Sequence, residues 1–119
     1  MSVNVLMSNG APVGLARAIT GVGDNGTLTA TGTAIGDAAA ISAMSTQVTG
    51  SSNAGVQLPD KEGIFFIGNS TAATKVYPHS ASGTINGGSA GAAVTVGSGK
   101  GAICVRQSAL NWVLIGDAA

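Results

Sequence analysis

Turn signals recur along this chain every 8–12 residues, and short segments that alternate small apolar and hydroxylated side chains separate them. The stretch "KVYPHSASGTINGGSAGAAVTVGSGKGAICV", residues 75–105, shows the pattern at its densest. Ser82-Gly83, Asn86-Gly87 and Gly87-Gly88 are tight-turn dipeptides, and "AAVTV" and "GAICV" between and after them read as strands. A flexible linker has no alternation on its flanks, and this stretch has it on both. The glycines therefore punctuate strands.

The rest of the chain follows the same rule. "TLTATGTAI" sets Thr27, Thr29, Thr31 and Thr33 on one face of a pleat, with Leu28, Ala30 and Gly32 on the other. "DAAAISAM" fits a short helix capped by Asp37 or a strand, and its strand-rich surroundings favour the strand. "VQLP" and "KVYP" are strands that each stop at a proline. "GIFFIGN" is so continuously apolar that it predicts a central strand buried on both faces. "NWVLIG" closes the set. The expectation is an all-β chain: a compact antiparallel β-sandwich or barrel, jelly-roll-like, of about 7–9 short strands. Residues 1–26 form a separate N-terminal arm and residues 27–119 the β-domain. The arm's apolar positions, Val3, Val5, Leu6, Met7, Pro12, Leu15 and Ile19, are the candidates for contact with a partner or a neighbouring protomer.

Composition narrows the class. At 119 residues one domain is expected. Charged residues are 8%, net charge is zero and 45% of residues are hydrophobic, which is the reverse of a disordered chain's balance. The five basic residues are scattered, so neither nucleic acid nor an anionic membrane is an expected partner. No stretch approaches the length of a membrane helix, and no secretory leader is visible. Cys104, the single cysteine, sits in an apolar run and reads as a small buried hydrophobe.

Candidate chemistry is thin. "GSGKG" departs from a phosphate-binding loop: Gly101 follows Lys100 where Ser or Thr is required, Val94 stands where the first glycine belongs, and a strand follows. A hairpin loop is the expectation. His79 is the only histidine, and catalysis would need a nucleophile and an orienting group beside it. Asp60 and Glu62 in "DKEG" read as a solvated turn. Asn25-Gly26-Thr27 and Asn69-Ser70-Thr71 match the glycosylation sequon by chance. Phe65, Phe66, Tyr77 and Trp112 are all the aromatics, and packing is the expected use for them. No cofactor, no metal site and no enzymatic activity are expected.

In order, "GVQLP", a hydrophobic strand ending "GN", "KVYP", "GTINGG", "AAVTVGSGKGAICV" and "NWVLIG" fill residues 55–116. This order resembles a family of small virion proteins of tailed bacteriophages, in which a Val-Tyr-Pro step precedes a Thr-Ile-Asn-Gly turn, a small-residue strand and a closing aromatic strand. The resemblance spans roughly residues 27–116, and the N-terminal arm lies outside it. It implies a structural protein of the virion: a capsid decoration (cement) protein on the capsid surface, bound to the major capsid protein, as a homotrimer. The alternative it implies is a tail or fibre component contacting host receptor glycans, for which Tyr77 and Trp112 are the plausible stacking groups. No catalytic residue comes with the resemblance.

Overall fold

A computed structural model describes residues 25–70 and 72–116. Ten strands account for about half of the described backbone, and the one helical element among the described residues is a single 3-10 turn, Ile35–Asp37. The strands are β1 (Asn25–Thr29), β2 (Ala39–Ala40), β3 (Ser45–Thr49), β4 (Ala54–Gln57) and β5 (Ile64–Asn69), followed by β6 (Thr74–Tyr77), β7 (Thr84–Ile85), β8 (Val94–Val96), β9 (Gly101–Arg106) and β10 (Asn111–Gly116). The all-β expectation holds.

The expected antiparallel arrangement does not. The chain changes sheet at nearly every turn, so β1, β3, β5 and β7 fall in one sheet and β2, β4, β6 and β8 in the other. The six-stranded sheet runs β1-β3-β5-β9-β10-β7 and the four-stranded sheet β2-β4-β6-β8. Because each return to a sheet comes from the same side, successive strands pair in parallel: β1 with β3, β3 with β5, β2 with β4, and β4 with β6. Asn25 lies opposite Ser45 and Ser45 opposite Phe66, so one winding takes about twenty residues, the step of a repeat coil. Only the C-terminal part departs from this. β9 pairs antiparallel with both β5 and β10, and β8 pairs antiparallel with β6.

"DAAAISAM" yields only the two-residue strand Ala39–Ala40, after which Ile41 turns inward and donates its N–H to the Gln57 carbonyl at 2.9 Å. The segment after "AAVTV" is not a hairpin loop: residues 97–100 carry the chain from β8 in one sheet to β9 in the other. Asn86 and Gly87, with φ of 55° and 72°, form the two central residues of a turn closed by Gly88 N–H to the Ile85 carbonyl at 3.1 Å. That left-handed pair is what an Asn-Gly dipeptide supplies at low cost.

One apolar cluster joins the two sheets. The four-stranded sheet contributes Val56, Val76 and Val96, all with no exposed surface, and the six-stranded sheet Val48, Ile67, Cys104 and Trp112. Burying each such side chain stabilises the fold by roughly 1.5–3 kcal/mol. Pairing sets the rows within this core. Phe65, Cys104 and Leu114 line up across β5, β9 and β10, and Arg106, Trp112 and Ile85 across β9, β10 and β7. Strand β1 takes in residues 25 and 26.

Candidate functional site

Alternation in the six-stranded sheet sends every second residue away from the core, and these outward residues form one face across five strands. On β1 and β3 they are Asn25, Thr27 and Thr29, then Ser45, Gln47 and Thr49. The hydroxyls of Thr29 and Thr49 meet at 3.5 Å across the strand pair. On β5 they are Ile64, Phe66 and Gly68; on β9, Gly101, Ile103 and Val105; on β10, Asn111, Val113 and Ile115. No outward position of this sheet is charged. One half is hydroxyl and amide, the other aliphatic and aromatic.

Register organises the apolar half into two cross-strand rows. Phe66 lies opposite Ile103, which lies opposite Ile115; Ile64 lies opposite Val105, which lies opposite Val113. Their exposure is high for side chains of this size: Ile64 46%, Phe66 45%, Ile103 38% and Ile115 60%. The expectation that "GIFFIGN" is buried on both faces is therefore corrected. β5 is an interior strand, but its pattern alternates, with Phe65, Ile67 and Asn69 inward and Ile64, Phe66 and Gly68 outward. Scattered exposed leucines or isoleucines are ordinary, whereas a contiguous apolar strip on a flat sheet marks an interaction surface.

Beside the strip the surface dips. Gly68 and Gly101 face each other across β5 and β9, and a shallow hollow lined by Ser45, Phe66, Gly68, Gly101, Ile103 and Ile115 opens there. A Cβ built on Gly68 meets nothing within 4 Å. Ridge and hollow thus lie side by side.

The chemistry-bearing residues gather elsewhere. His79, Asp60, Arg106 and Trp112 meet where the β4–β5 connection passes the end of β9. Trp112 Nε1 donates to His79 Nδ1 at 2.9 Å. Arg106 donates to Asp60 Oδ1 at 2.8 Å and to the Ala109 carbonyl at 2.7 Å, and its guanidinium lies 5.9 Å from the centre of the Trp112 ring. His79 Nε2 faces Arg106 Nη2 at 3.3 Å and Asp60 Oδ1 at 4.0 Å. Both imidazole nitrogens face Trp112, Arg106 and Asp60, so neither is aimed at a hydroxyl or thiol. The arrangement fastens the β9–β10 hairpin to the loop before β5. Among the described residues no three His, Cys, Asp or Glu side chains converge as a metal site.

Other sequence candidates fall into place. Glu62 and Asp60 lie on an exposed turn. Asn69 of the second sequon is buried, and its Nδ2 donates to the carbonyls of Ala72, Val96 and Gly97, so it ties the end of β5 to the β8–β9 connection. Cys104 is wholly buried, and burial pushes its thiol up to about 12. Tyr77 and Trp112, the stacking groups of the glycan alternative, are 6% and 1% exposed and belong to the interior; Phe66 is the exposed aromatic. The arm candidates Val3, Val5, Leu6, Met7, Pro12, Leu15 and Ile19 lie outside the described residues. Among those described, no helix is long and apolar enough to cross a membrane.

No family model, curated protein or solved structure matches the chain.

Proposed function

We propose that this chain is a structural protein of a tailed-phage virion that docks on the assembled capsid and stabilises it. The observation that carries this reading is the uncharged outer face of the six-stranded sheet, whose hydroxyl and amide half lies on β1 and β3. A surface of that kind works by being covered. It offers hydroxyls and amides to another protein surface, and its outward strand positions carry no charge to attract nucleic acid or lipid headgroups. The order of motifs from "GVQLP" to "NWVLIG" supports the phage assignment. The partner is the major capsid protein, and the apolar N-terminal arm is the clamp on it. Stabilisation follows from mass action: a ligand that binds the assembled shell and not its free subunits adds its binding free energy to the shell.

The test is binding to purified heads. Full-length protein should co-sediment with intact capsids at a fixed copy number and raise their disruption temperature. Deleting residues 2–20 should abolish co-sedimentation while leaving the β circular dichroism signal. Capsids that neither bind the full chain nor gain stability from it would end the proposal. Binding that survives the deletion unchanged would remove the arm from it.

A further inference from the structure

We propose that the outer face of β5, β9 and β10 is a two-fold interface with a second copy of this chain. Area, charge and shape each support it, and in this arrangement the second copy covers the apolar half of the face while the hydroxyl half on β1 and β3 stays open to the shell.

The exposed fractions of Ile64, Phe66, Ile103 and Ile115 leave on the order of 400 Å² of apolar side chain in water, taking about 200 Å² for a large side chain. A standard protein interface buries about 800 Å² on each partner. The four residues therefore supply about half of one side, and the flanking Val105, Val113 and Ser45 extend the same flat face.

The charge pattern restricts the occupant. A partner that brings Lys, Arg, Asp or Glu to this face would strip them of water with no counter-charge to meet them. The fitting partner is an equally uncharged, partly apolar surface. This chain, with zero net charge and no ionisable residue at the described outward strand positions of this sheet, supplies one.

Shape fits a two-fold operator in particular. An isologous contact needs a patch that complements itself. Here the Phe66–Ile103–Ile115 ridge runs beside the hollow over Gly68 and Gly101. A two-fold axis between them sets each copy's Phe66 over the other's glycine pair. The missing side chain at Gly68 then has a use, since a Cβ added there meets nothing within 4 Å, whereas one at Gly101 comes within 3.3 Å of the Ile67 carbonyl.

The experiment is the solution mass of the full chain by light scattering at tens of micromolar, with no capsid present. The expected mass is about twice the 11.4 kDa of one chain. Two variants probe the face from opposite sides. Phe66→Ser with Ile103→Thr removes the ridge, and Gly68→Gln fills the hollow. All three positions face outward, so both variants should keep the native circular dichroism and melting cooperativity while weakening the dimer at least about tenfold. A monomeric wild type would overturn the proposal; that is the result if the chain's own residues 1–24 or only the shell cover this face. A trimer, or a dimer that both variants leave intact, would overturn it equally. Capsid co-sedimentation of the monomeric variants is a separate readout, so the two proposals can fail independently.

Discussion

The indole N–H of Trp112 donates to Nδ1 of His79 across 2.9 Å, and this bond decides the state of the imidazole. A neutral histidine that accepts at Nδ1 carries its proton on Nε2. That proton faces Asp60 Oδ1 at 4.0 Å, with Arg106 Nη2 3.3 Å away. Arginine cannot accept a hydrogen bond, so the Arg106–His79 approach sets two donors side by side. Arg106 is held by Asp60 and the Ala109 carbonyl instead, and its Nε finds no partner among the described residues. The cluster is thus a structural clasp centred on the Trp112 ring. His79→Leu should leave the buried indole N–H unpaired and destabilise the fold by about 1–3 kcal/mol, whereas His79→Gln, whose carboxamide oxygen can accept, should cost about half as much. Urea midpoints at constant m-value measure the difference. Equal midpoints for the two variants would mean the indole bond contributes nothing.

Asn86 works as a substitute peptide unit. Its Oδ1 accepts from Leu114 N at 2.9 Å, its Nδ2 donates to the Leu114 carbonyl at 3.2 Å, and its own N–H bonds the Trp112 carbonyl at 2.9 Å. This side chain adds two bonds to those that hold the two-residue strand β7 on β10, from Thr84 N–H to the Leu110 carbonyl at 2.8 Å and from the Thr84 hydroxyl to Asn111 Oδ1 at 2.8 Å. Asn86→Gly keeps the left-handed backbone and loses both side-chain bonds, for about 1–2 kcal/mol. Asn86→Ala loses the bonds and adds strain at φ 55°, so it should cost about 1 kcal/mol more. Amide exchange at Leu114 should accelerate in both variants; protection equal to wild type would show that the carboxamide bonds are idle.

Much of this architecture was legible from residues alone. The turn dipeptide Asn86-Gly87, the strands ending at Pro59 and Pro78, and the burial of Cys104 and Trp112 all follow from local chemistry. Strand direction was not. Turn signals 8–12 residues apart arise from an antiparallel meander and equally from a chain that crosses to the other sheet at each turn. The distinguishing signal was a register of about twenty residues: Val56 stacks on Val76 and Gln57 on Tyr77, which places "VQLP" over "VYP". The docking face was hidden for a different reason. In "IFFIG" inward and outward positions are both apolar, so period two leaves no trace, and only the pairing of Phe66 with Ile103 shows which residues face water. His79, Arg106 and Asp60 are far apart in sequence, and no spacing rule joins them.

Close packing between windings gives a paired test. Gly55 lies under the Tyr77 ring of the next winding, where an added Cβ would come within 2.7 Å of Tyr77 Cε2 and 3.2 Å of Ala38 Cβ. The ring cannot swing away freely, because its hydroxyl donates to the Thr33 carbonyl at 3.0 Å. Gly55→Ala should therefore cost about 1–3 kcal/mol. Gly68→Ala, at a strand position with open space around the new methyl, should be close to neutral. Thermal melts of the two variants decide it, and a melting temperature for Gly55→Ala equal to wild type would mean the windings are not packed this tightly.

Cys104 gives the pH test. Its thiol, ordinarily titrating at 9.0, is pushed up to about 12 by burial between Phe65 and Leu114. The folded chain therefore holds its proton where the unfolded chain has released one. The more protonated state loses ground as pH rises, so this group contributes stability below pH 9 that drains away between pH 9 and 12. Cys104→Ala removes that linkage: the difference in stability between wild type and variant should narrow steadily above pH 9, after a constant offset below it from the lost side chain. At pH 8 the same burial should keep the native thiol inert, with a disulfide reagent reacting only at the rate of unfolding and stoichiometrically in denaturant. Rapid labelling of the native protein at pH 8 would place Cys104 in contact with solvent and contradict the row it shares with Phe65 and Leu114.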